Sequence, residues 1–305
     1  MAVADSQPVI FVGGLGRSGS TLLERLLGEI PGVVPLGEVV HLWARGVLAN
    51  EPCGCGQLFA ECPFWGKVGA RAFGRWRETQ AHWLLRLRTQ VDRTRRIPGF
   101  ACGLLTREAE MAEYVSAYSR IYGAAAEVAN ARAVIDSSKH ASLAYCLSAI
   151  TDVRVVHVVR DPRAVAASWR RKVRRPEDGQ PMTRWAPART AVHWLAQNLA
   201  LEVLRCRGVR VVRVHYEDLL DEPVKTMTKL AAKLDLPSSA EAISFLDDRQ
   251  ARLGVAHTVS GNPMRFAVGR IEFRDRHTAL PMAQRWLVTA LTWPLLLLYG
   301  YRLTY

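Results

Sequence analysis

The sequence predicts an α/β fold in which helices flank a central parallel sheet. Short runs rich in valine and isoleucine alternate with helical patterns, as is typical of parallel sheets that helices cover on both faces. A glycine-rich loop joins the first predicted strand to the first helix, which makes the predicted sheet P-loop-like. The chain has 305 residues, of which 49% are hydrophobic and 23% charged. This composition is that of a folded globular protein.

The individual elements follow from residue type and spacing. The predicted strands are the β-branched runs Val9–Val12, Val33–Leu36, Ala133–Ile135, Val153–Val159 and Val209–Val214. Helical patterns follow most of them, at Thr21–Glu29, His140–Ile150, Arg163–Arg171 and Pro223–Leu234. We expect a single domain over residues 1–305, with a helical insertion at about 67–130 and an apolar C-terminal helix at about 283–302.

Two regions of the predicted fold have more than one interpretation. The insertion has apolar residues at helical spacing among many arginines, which predicts an amphipathic helix with a solvated basic face; a lid that faces an anion or a membrane is the alternative. The apolar run Trp286–Tyr299 is shorter than the ~20 residues of a membrane span, and Pro294 interrupts it. A buried helix is predicted there, with membrane docking as the alternative. Arg170–Arg189 is predicted to be a mobile basic loop.

The net charge and the cysteine content of the chain indicate which ligands and which cellular compartment to expect. The net charge of +13, from 41 basic and 28 acidic residues, favours anionic ligands or surfaces. The chain has neither an aromatic-rich basic run nor zinc-finger spacing, so a nucleic-acid partner is not predicted. Six cysteines are few for this length, and the start of the chain lacks the pattern of a signal peptide. We therefore expect a cytoplasmic protein.

The strongest motif is the loop between the first strand and the first helix. Glycines allow the backbone to approach an anion closely, and the helix that follows directs free N–H groups and its positive dipole end toward that anion. Hydroxyl groups and one arginine add further donors. The predicted anion-binding residues are Gly16, Arg17, Ser18, Gly19, Ser20 and Thr21. A phosphate or sulfate group is the predicted ligand.

The loop alone leaves several enzyme classes open. Its spacing Gly14-x-Gly16-x-x-Gly19 fits the dinucleotide fingerprint of oxidoreductases. It also nearly fits the Walker pattern of P-loop kinases, although Ser20 stands where the phosphate-binding lysine belongs. Asp136, at the end of a predicted strand, could then bind magnesium. A nucleotide-binding module without catalytic activity is a further alternative.

A second anion site is predicted after the strand Val153–Val159. That strand delivers Arg160 to its carboxyl end, where Asp161 can cap the next helix and Pro162 suits its first turn. Ser168 follows Arg160 by 168 − 160 = 8 residues, or about two helical turns. Arg160 and Ser168 can therefore bind one ligand only if it lies along that helix.

Together the two motifs resemble the PAPS-dependent sulfotransferase family, in which PAPS is 3′-phosphoadenosine 5′-phosphosulfate. The resemblance implies that the glycine loop binds the 5′-phosphosulfate and that Arg160 and Ser168 bind the 3′-phosphate. It continues at Tyr216, which is similar to a family tyrosine near the adenine. It ends at His257–Phe266, here called the late loop, which is similar to a loop that closes over the donor in bacterial members. The late-loop residues that the resemblance implies for the donor are Ser260, Gly261, Asn262 and Arg265.

The resemblance also implies catalytic roles and a branch of the family. Arg17 stands where the phenol and steroid enzymes have a lysine, so the chain is more similar to the carbohydrate and tyrosyl-protein branches, as a bacterial-type soluble member. Glu38 is similar to the general base of those branches, in which the first loop carries an arginine. His41 is the alternative base. Lys139 is similar to a lysine that stabilises the leaving phosphate and the transferring sulfonate. We expect partial burial to raise the pKa of Glu38, and Ser137 and Ser138 to cap the helix after Lys139.

The acceptor and the cysteine loop complete the predictions. The reaction that the resemblance implies needs a hydroxyl acceptor. It requires neither a redox group nor a catalytic metal. Aromatic residues near the second strand and the insertion predict an apolar or aromatic pocket for an apolar or glycosylated small-molecule or lipid acceptor: Trp43, Phe64, Trp65, Trp76 and Trp83. Peripheral contact with a membrane stays open as an alternative. Pro52–Trp65, here called the cysteine loop, contains Cys53, Cys55 and Cys62. It has no Cys-x-x-Cys pair and no evident fourth ligand other than His41, so no metal site is predicted.

Overall fold

A computed structural model describes residues 8–103, 107–149, 152–174, 179–273 and 279–303. Within these ranges, five strands form one parallel sheet in the order β2-β3-β1-β4-β5. The strands are β1 (Val9–Gly13), β2 (Val33–Pro35), β3 (Ala133–Lys139), β4 (Val153–Val159) and β5 (Val211–His215). Helices flank this sheet, so the predicted fold class is confirmed.

The central strand β1 shows why these residues form a sheet that is buried on both faces. Val9 and Phe11 pack into one hydrophobic core together with the helices of the insertion. Ile10 and Val12 pack into a second core on the opposite face. Successive side chains of a strand alternate between faces, so a strand composed only of apolar residues fits a sheet with a core on each side.

The helices between and after these strands lie close to the predicted positions. They are α1 (Ser20–Leu27), α2 (Pro63–Phe73), α3 (Glu78–Val91), α4 (Ile97–Ala101), α5 (Glu108–Ala129), α6 (Ala141–Ser148), α7 (Pro162–Arg170), α8 (Pro187–Cys206), α9 (Tyr216–Asp221), α10 (Pro223–Lys233) and α11 (Met282–Leu298). Helices α2 to α5 occupy the chain between β2 and β3, where the insertion is predicted. A π-helical segment, Leu42–Leu48, precedes them.

The region after β4 differs most from the prediction. Helix α8 begins at Pro187, inside the segment predicted to be a basic loop, and the sequence interpretation missed it. Residues 175–178 of that predicted loop lie outside the described residues, as does Ile150 at the end of one predicted helix. Two short strands, β6 (Gln250–Leu253) and β7 (Gly269–Glu272), form an antiparallel pair on either side of the late loop.

The C-terminal helix α11 is only half-buried, so the prediction of a buried helix is wrong. One face packs on α7 and α8 through Val288 and Leu295. The other face exposes large apolar side chains: Trp286, Leu287, Trp293, Leu297 and Leu298. None of the helices in the described ranges has the length and apolar character needed to cross a membrane.

Candidate active site

The carboxyl ends of all five parallel strands open onto one cavity of about 1140 Å³. In the sheet order, β1 lies between β3 and β4. This centre of an open α/β sheet is where such folds bind their ligands. Each strand, or the loop that follows it, delivers predicted site residues to the cavity wall: Gly16, Arg17, Gly19, Ser20 and Thr21 after β1, Glu38 and His41 after β2, Lys139 at the end of β3, Arg160 and Ser168 after β4, and Tyr216 after β5.

The first anion site is the loop Gly14–Thr21 with the start of α1. Gly14 has φ 139°, and Gly19 has φ 94°, a conformation that favours glycine. A Cβ atom on Gly19 would lie 2.1 Å from the Tyr216 ring, so the loop and that ring are in direct contact. Ser20 and Thr21 begin α1 and line the cavity. Ser18 is buried and does not contribute to the cavity wall.

Arg17 is held on the cavity wall by its neighbours. Its guanidinium lies 5.7 Å from the Trp169 ring centroid, and Nη2 lies 3.3 Å from Met182 Sδ. Trp169 in turn donates from Nε1 to the Gly16 carbonyl oxygen at 2.9 Å. Burial lowers the pKa of Arg17, and the charge of Arg171 lowers it further. Two cations so close together are stabilised by an anionic ligand between them.

The second anion site faces the same cavity. Arg160 Nη1 donates to the Arg17 carbonyl oxygen at 3.1 Å, and its guanidinium lies 4.2 Å above the Tyr216 ring. Asp161 caps α7 as predicted, because its carboxylate accepts from the backbone N–H of Arg163 at 2.8 Å. Ser168, two turns along α7, also lines the cavity. The two predicted anion sites are thus adjacent on the wall of one cavity.

Glu38 lies between two basic groups. Its Oε1 accepts a hydrogen bond from Lys139 Nζ, and its Oε2 lies 3.5 Å from His41 Nε2. Burial acts to raise the pKa of Glu38, but the charges of Lys139 and His41 outweigh it and the pKa is lowered. The expectation of a raised pKa is therefore wrong, because the sequence did not show that Lys139 reaches this carboxylate. Burial also lowers the pKa of His41 to about 4, so both candidate bases are unprotonated at neutral pH.

Three non-glycine residues of the cavity wall have left-handed backbone conformations. The φ angles are 75° for Arg17, 70° for Lys139 and 55° for Ser260. Such angles are uncommon for residues with a Cβ atom, and at functional sites the surrounding structure maintains them. Each of these backbones directs a side chain that could contact an anion or a hydroxyl group.

A buried polar network supports the side of the cavity that carries Glu38. Glu24 in α1 accepts from the Gly37 N–H and from Ser137 Oγ, each at 2.6 Å, and burial raises its pKa to about 7. Ser138 donates its backbone N–H to Asp136, and Ser138 Oγ accepts from the Val40 N–H. Ser137 and Ser138 therefore belong to this network, and the prediction that they cap a helix is wrong. Sequence reasoning missed Glu24, although a glutamate among the leucines of a buried helix was a signal.

Asp136 does not lie at the cavity. It is fully buried beneath Ser138 and accepts from the Tyr122 hydroxyl at 2.6 Å. Burial raises the pKa of Asp136 to about 6. The alternative in which this carboxylate binds a magnesium ion beside a nucleotide therefore has no support from its position.

The late loop contributes three of its four predicted residues to the cavity. Ser260, Gly261 and Asn262 line the wall, and a Cβ atom on Gly261 would lie 3.4 Å from Glu38 Oε1. Arg265 does not line it. Its side chain is buried and donates to the carbonyl oxygens of Thr258 and Pro52. Arg265 thus holds the loop in place, and its predicted contact with the donor is corrected.

The predicted aromatic wall is also corrected. Trp43, Phe64 and Trp65 are buried in a core cluster with Trp76, and Trp83 is an exposed residue that donates to Glu113. Of the tryptophan, tyrosine and phenylalanine rings at the cavity, Tyr216 was predicted to lie there, and the sequence interpretation missed the other three: Trp169, Trp185 and Phe273. Trp169 and Trp185 stack at 3.9 Å between centroids. Position along the chain could not show which side of the sheet these rings face.

With this geometry established, comparison with known proteins identifies the family. A model of the sulfotransferase family matches residues 8–240, which is most of the chain. The chain belongs to the sulfotransferase family. The matched residues of this sulfotransferase include both anion sites and the Glu38–Lys139 pair.

Several solved structures are similar to this sulfotransferase. The sulfotransferase domain of the Synechococcus PCC 7002 olefin synthase is 22% identical, with 97% of this chain and 96% of that chain covered and a TM-score of 0.48. The sulfotransferase domain from the curacin biosynthetic pathway is 17% identical, with 96% and 97% covered and a TM-score of 0.49. Sulfotransferase STF1 from Mycobacterium tuberculosis H37Rv is 21% identical, with 79% and 71% covered and a TM-score of 0.47. No match was found among curated proteins.

Proposed function

We propose that this sulfotransferase moves a sulfuryl group from PAPS to a hydroxyl group of a small-molecule or lipid acceptor. The observation that carries the proposal is that Arg17 and Arg160 face one cavity, in contact through a hydrogen bond of 3.1 Å. PAPS has anionic groups at both its 5′ and 3′ ends. A single molecule can therefore place its phosphosulfate at the start of α1 and its 3′-phosphate between Arg160 and Ser168.

The ring of Tyr216 supports the placement of the adenosine between these ends. It contacts Gly19 of the first anion site and lies beneath the Arg160 guanidinium of the second. Leu220 and Met264 line the cavity wall too, and both, like Tyr216, pack against the edge of one core. An apolar and aromatic surface of this kind suits the face of an adenine base.

In the proposed transfer, the acceptor oxygen attacks the sulfur and forms the new S–O bond. The bond between the sulfur and the 5′-phosphate oxygen breaks, and its electron pair stays on adenosine 3′,5′-bisphosphate. Arg17 and Lys139 stabilise the charge that develops on the transferring sulfonate and the leaving phosphate. The hydroxyl proton passes to Glu38, and His41 is the alternative acceptor. Donor binding must then draw Lys139 from Glu38 toward the sulfonate, which frees the carboxylate to act as base.

The direct test of the donor is thermal stability with three ligands: adenosine 3′,5′-bisphosphate, ATP and NAD. A ligand that binds only the folded state raises the melting temperature by mass action. We expect a large shift with the bisphosphate alone. A shift with ATP and magnesium would favour a P-loop kinase instead. Bisphosphate binding without transfer to any acceptor would favour a binding module.

Two variants test the charges assigned to the reaction. We expect Arg17→Ala and Lys139→Ala to abolish transfer and to leave the fold intact, because both side chains lie on the cavity wall. Circular dichroism and the unliganded melting temperature check the fold. Full activity in either variant would remove that residue from the mechanism.

The acceptor must reach Glu38, and the groups around Glu38 indicate its chemistry. His41, His140 and Arg45 line this part of the cavity, and Arg45 donates to Ser260 Oγ. Polar side chains of this kind suit a hydroxyl-rich or glycosylated acceptor, whereas Trp169 and Trp185 suit an apolar portion of the same molecule. Activity with glycolipid or phenolic glycoside acceptors, compared with simple aliphatic alcohols, tests this preference.

We further propose a cytoplasmic protein that contacts membranes peripherally. The exposed apolar face of α11, with two tryptophans, supports this proposal because tryptophan favours the membrane interface. Sedimentation with anionic vesicles tests it, and loss of binding in Trp286→Ala with Trp293→Ala is the expected result.

A further inference from the structure

A second group of reactive side chains lies outside the cavity and has no part in the proposed transfer. Cys53, Cys55 and Cys62 come from the cysteine loop, and His257 comes from the start of the late loop. One ligand atom from each of these four residues lies within 4.8 Å of all the others. His257, the fourth member, lies about 200 residues from the cysteines along the chain, and sequence analysis did not find it.

Four of the six distances between the ligand atoms of this group lie close to the edges of a zinc tetrahedron, and the other two lie within 4.8 Å. With Zn–S bonds of about 2.3 Å and Zn–N bonds of about 2.0–2.1 Å, ideal geometry puts two sulfur ligands about 3.8 Å apart and a sulfur and a nitrogen about 3.6 Å apart. Cys62 Sγ lies 3.7 Å from Cys53 Sγ and 3.8 Å from Cys55 Sγ. His257 Nδ1 lies 3.3 Å from Cys62 Sγ and 3.9 Å from Cys53 Sγ.

The backbone holds the cysteine loop in the conformation that this cluster needs. The Gly56 N–H and the Gln57 carbonyl each hydrogen-bond to the backbone of Cys53 at 2.8 Å, which closes a tight turn. Gly54 has no space for a side chain, because a Cβ atom there would lie 2.5 Å from the Ala256 carbonyl oxygen. This close approach brings the backbone before His257 against the loop and so directs the imidazole toward the thiols.

We propose that Cys53, Cys55, Cys62 and His257 bind one structural zinc ion. Three thiolates and an imidazole form a soft donor set that selects zinc over magnesium or calcium. Four protein ligands fill a tetrahedral shell and leave no open position, which is characteristic of a structural rather than a catalytic site. Cys53 and Cys62 are almost completely buried, and the His257 ring stacks on Phe64 at 4.9 Å between centroids.

The position of this site gives the metal a defined role. The Gly54 N–H donates to the Thr258 carbonyl oxygen at 2.9 Å, and Arg265 bridges Thr258 and Pro52. Val259, the residue after Thr258, forms backbone hydrogen bonds with Leu36 and Glu38. The zinc therefore fastens the late loop to the cysteine loop and keeps Ser260 and Gly261 at the cavity. Its removal is expected to loosen the late loop and to lower the melting temperature.

The first experiment measures metal in the full-length protein, purified without added metal and without a polyhistidine tag. We expect elemental mass spectrometry to find about one zinc ion per chain. Protein produced with cobalt is expected to show the visible bands of tetrahedral Co²⁺ and a sulfur-to-cobalt charge-transfer band. Absence of metal, or iron in its place, would overturn the proposal. Neither measurement depends on sulfotransferase activity, so it can fail independently of the proposed function.

Variants then assign the ligands. We expect Cys62→Ser and His257→Ala to lose zinc, and His257→Cys to retain it because a fourth thiolate replaces the imidazole. Cys146→Ser is the matched control, since Cys146 is a buried free thiol elsewhere in the core; it should retain one zinc. Zinc retained in both ligand variants would refute the assignment. If a variant does not fold, the cobalt spectrum of the wild-type protein still tests the ligand set.

Thiol titration distinguishes zinc-bound cysteines from a disulfide. In denaturant with a chelator, we expect all six cysteines to react without reductant. Without chelator, the native protein should protect Cys53, Cys55 and Cys62, and a mercurial reagent should release zinc as it modifies them. Only four reactive thiols under denaturing conditions would show a disulfide, and the zinc proposal would then be wrong.

Discussion

The two predicted anion sites lie side by side but are built by different means. The first comprises glycine backbone with positive φ at Gly14 and Gly19, the start of α1 at Ser20, and the cation Arg17. The second comprises the side chains of Arg160, just before α7, and Ser168, on that helix, which Asp161 caps. Binding at the first site is therefore expected to depend on backbone shape as well as on charge, and binding at the second mainly on side-chain charge; the Tyr216 ring contacts both.

This difference teaches how each site should respond to substitution. A methyl group added at Gly19 would meet the Tyr216 ring in a backbone conformation that favours glycine, so the loop must shift. A side chain removed from the second site takes away charge and leaves the backbone in place. We therefore expect the loss of transfer at the first site to be at least as large as the loss of affinity at the second.

Among the variants that should keep partial function, the largest effect is expected at Glu38, where the two predicted sites must hold the donor in line with the base. Glu38→Gln keeps the size of the side chain but cannot accept the proton, so we expect kcat to fall by about 10²- to 10⁴-fold. Donor affinity, measured by calorimetry with adenosine 3′,5′-bisphosphate, should stay within about twofold of the wild-type value. His41→Ala is the comparison variant. Wild-type turnover in Glu38→Gln with loss in His41→Ala would assign the base to His41.

The shape-dependent site is tested by Gly19→Ala. The new methyl group would lie 2.1 Å from Tyr216 in a backbone with φ 94°, so the loop must shift. We expect transfer to fall by about 10²-fold or more, since displacements of about 1 Å have effects of this size. Gly74→Ala is the matched control, with φ 76° and no atom within 4 Å. Equal losses of activity in the two variants would show that strain, not contact with Tyr216, is responsible.

The charge-dependent site is tested by Arg160→Ala with two ligands. A hydrogen bond to a charged group contributes about 1.5–3 kcal/mol, so affinity for adenosine 3′,5′-bisphosphate should fall by about 10- to 100-fold. Affinity for adenosine 5′-phosphosulfate, which lacks the 3′-phosphate, should change far less. Calorimetry measures both. Equal losses with the two ligands would mean that Arg160 does not recognise the 3′-phosphate.

The smallest effect concerns the buried carboxyl beneath the first site. Burial raises the pKa of Glu24 from its ordinary value of 4.5 to about 7, so its contribution to stability is complete below pH 4.5 and is lost as pH rises through 7. We expect the stability of Glu24→Gln, measured relative to wild type, to increase by on the order of 2 to 3 kcal/mol from pH 5 to pH 8. Denaturant unfolding at both pH values measures the difference. Parallel stability curves for the two proteins would contradict the raised pKa.

Much of the fold could be predicted because local patterns determine it. The strand Val153–Val159 is found at its predicted bounds, since seven residues of mainly β-branched type leave few alternatives. Strand β3 extends to Lys139, beyond the predicted Ile135, because the buried network at Asp136 and Ser138 keeps polar residues in the strand. Helix α8 was missed because the basic segment before it obscured its start at Pro187.

The site could be predicted only where motifs stand close to strand ends. Arg17 and Arg160 were found because each follows a strand, and the carboxyl ends of parallel strands meet. The pairing of Lys139 with Glu38, the nearness of His257 to Cys62 and the placement of Trp65 in the core all depend on side-chain directions between distant segments. No local spacing contains that information, and three expectations were wrong for this reason: the raised pKa of Glu38, the aromatic wall and the donor contact of Arg265.

The place of β1 at the centre of the sheet has a consequence for biosynthesis. Val9 pairs with Val134 on one side and with Val153 on the other, so β1 has neither partner until the ribosome has made the chain as far as Val134. Contacts so distant in sequence make folding slow and leave an apolar strand exposed in the meantime. We therefore expect this protein to refold slowly from denaturant and to gain yield when a chaperone is present during synthesis.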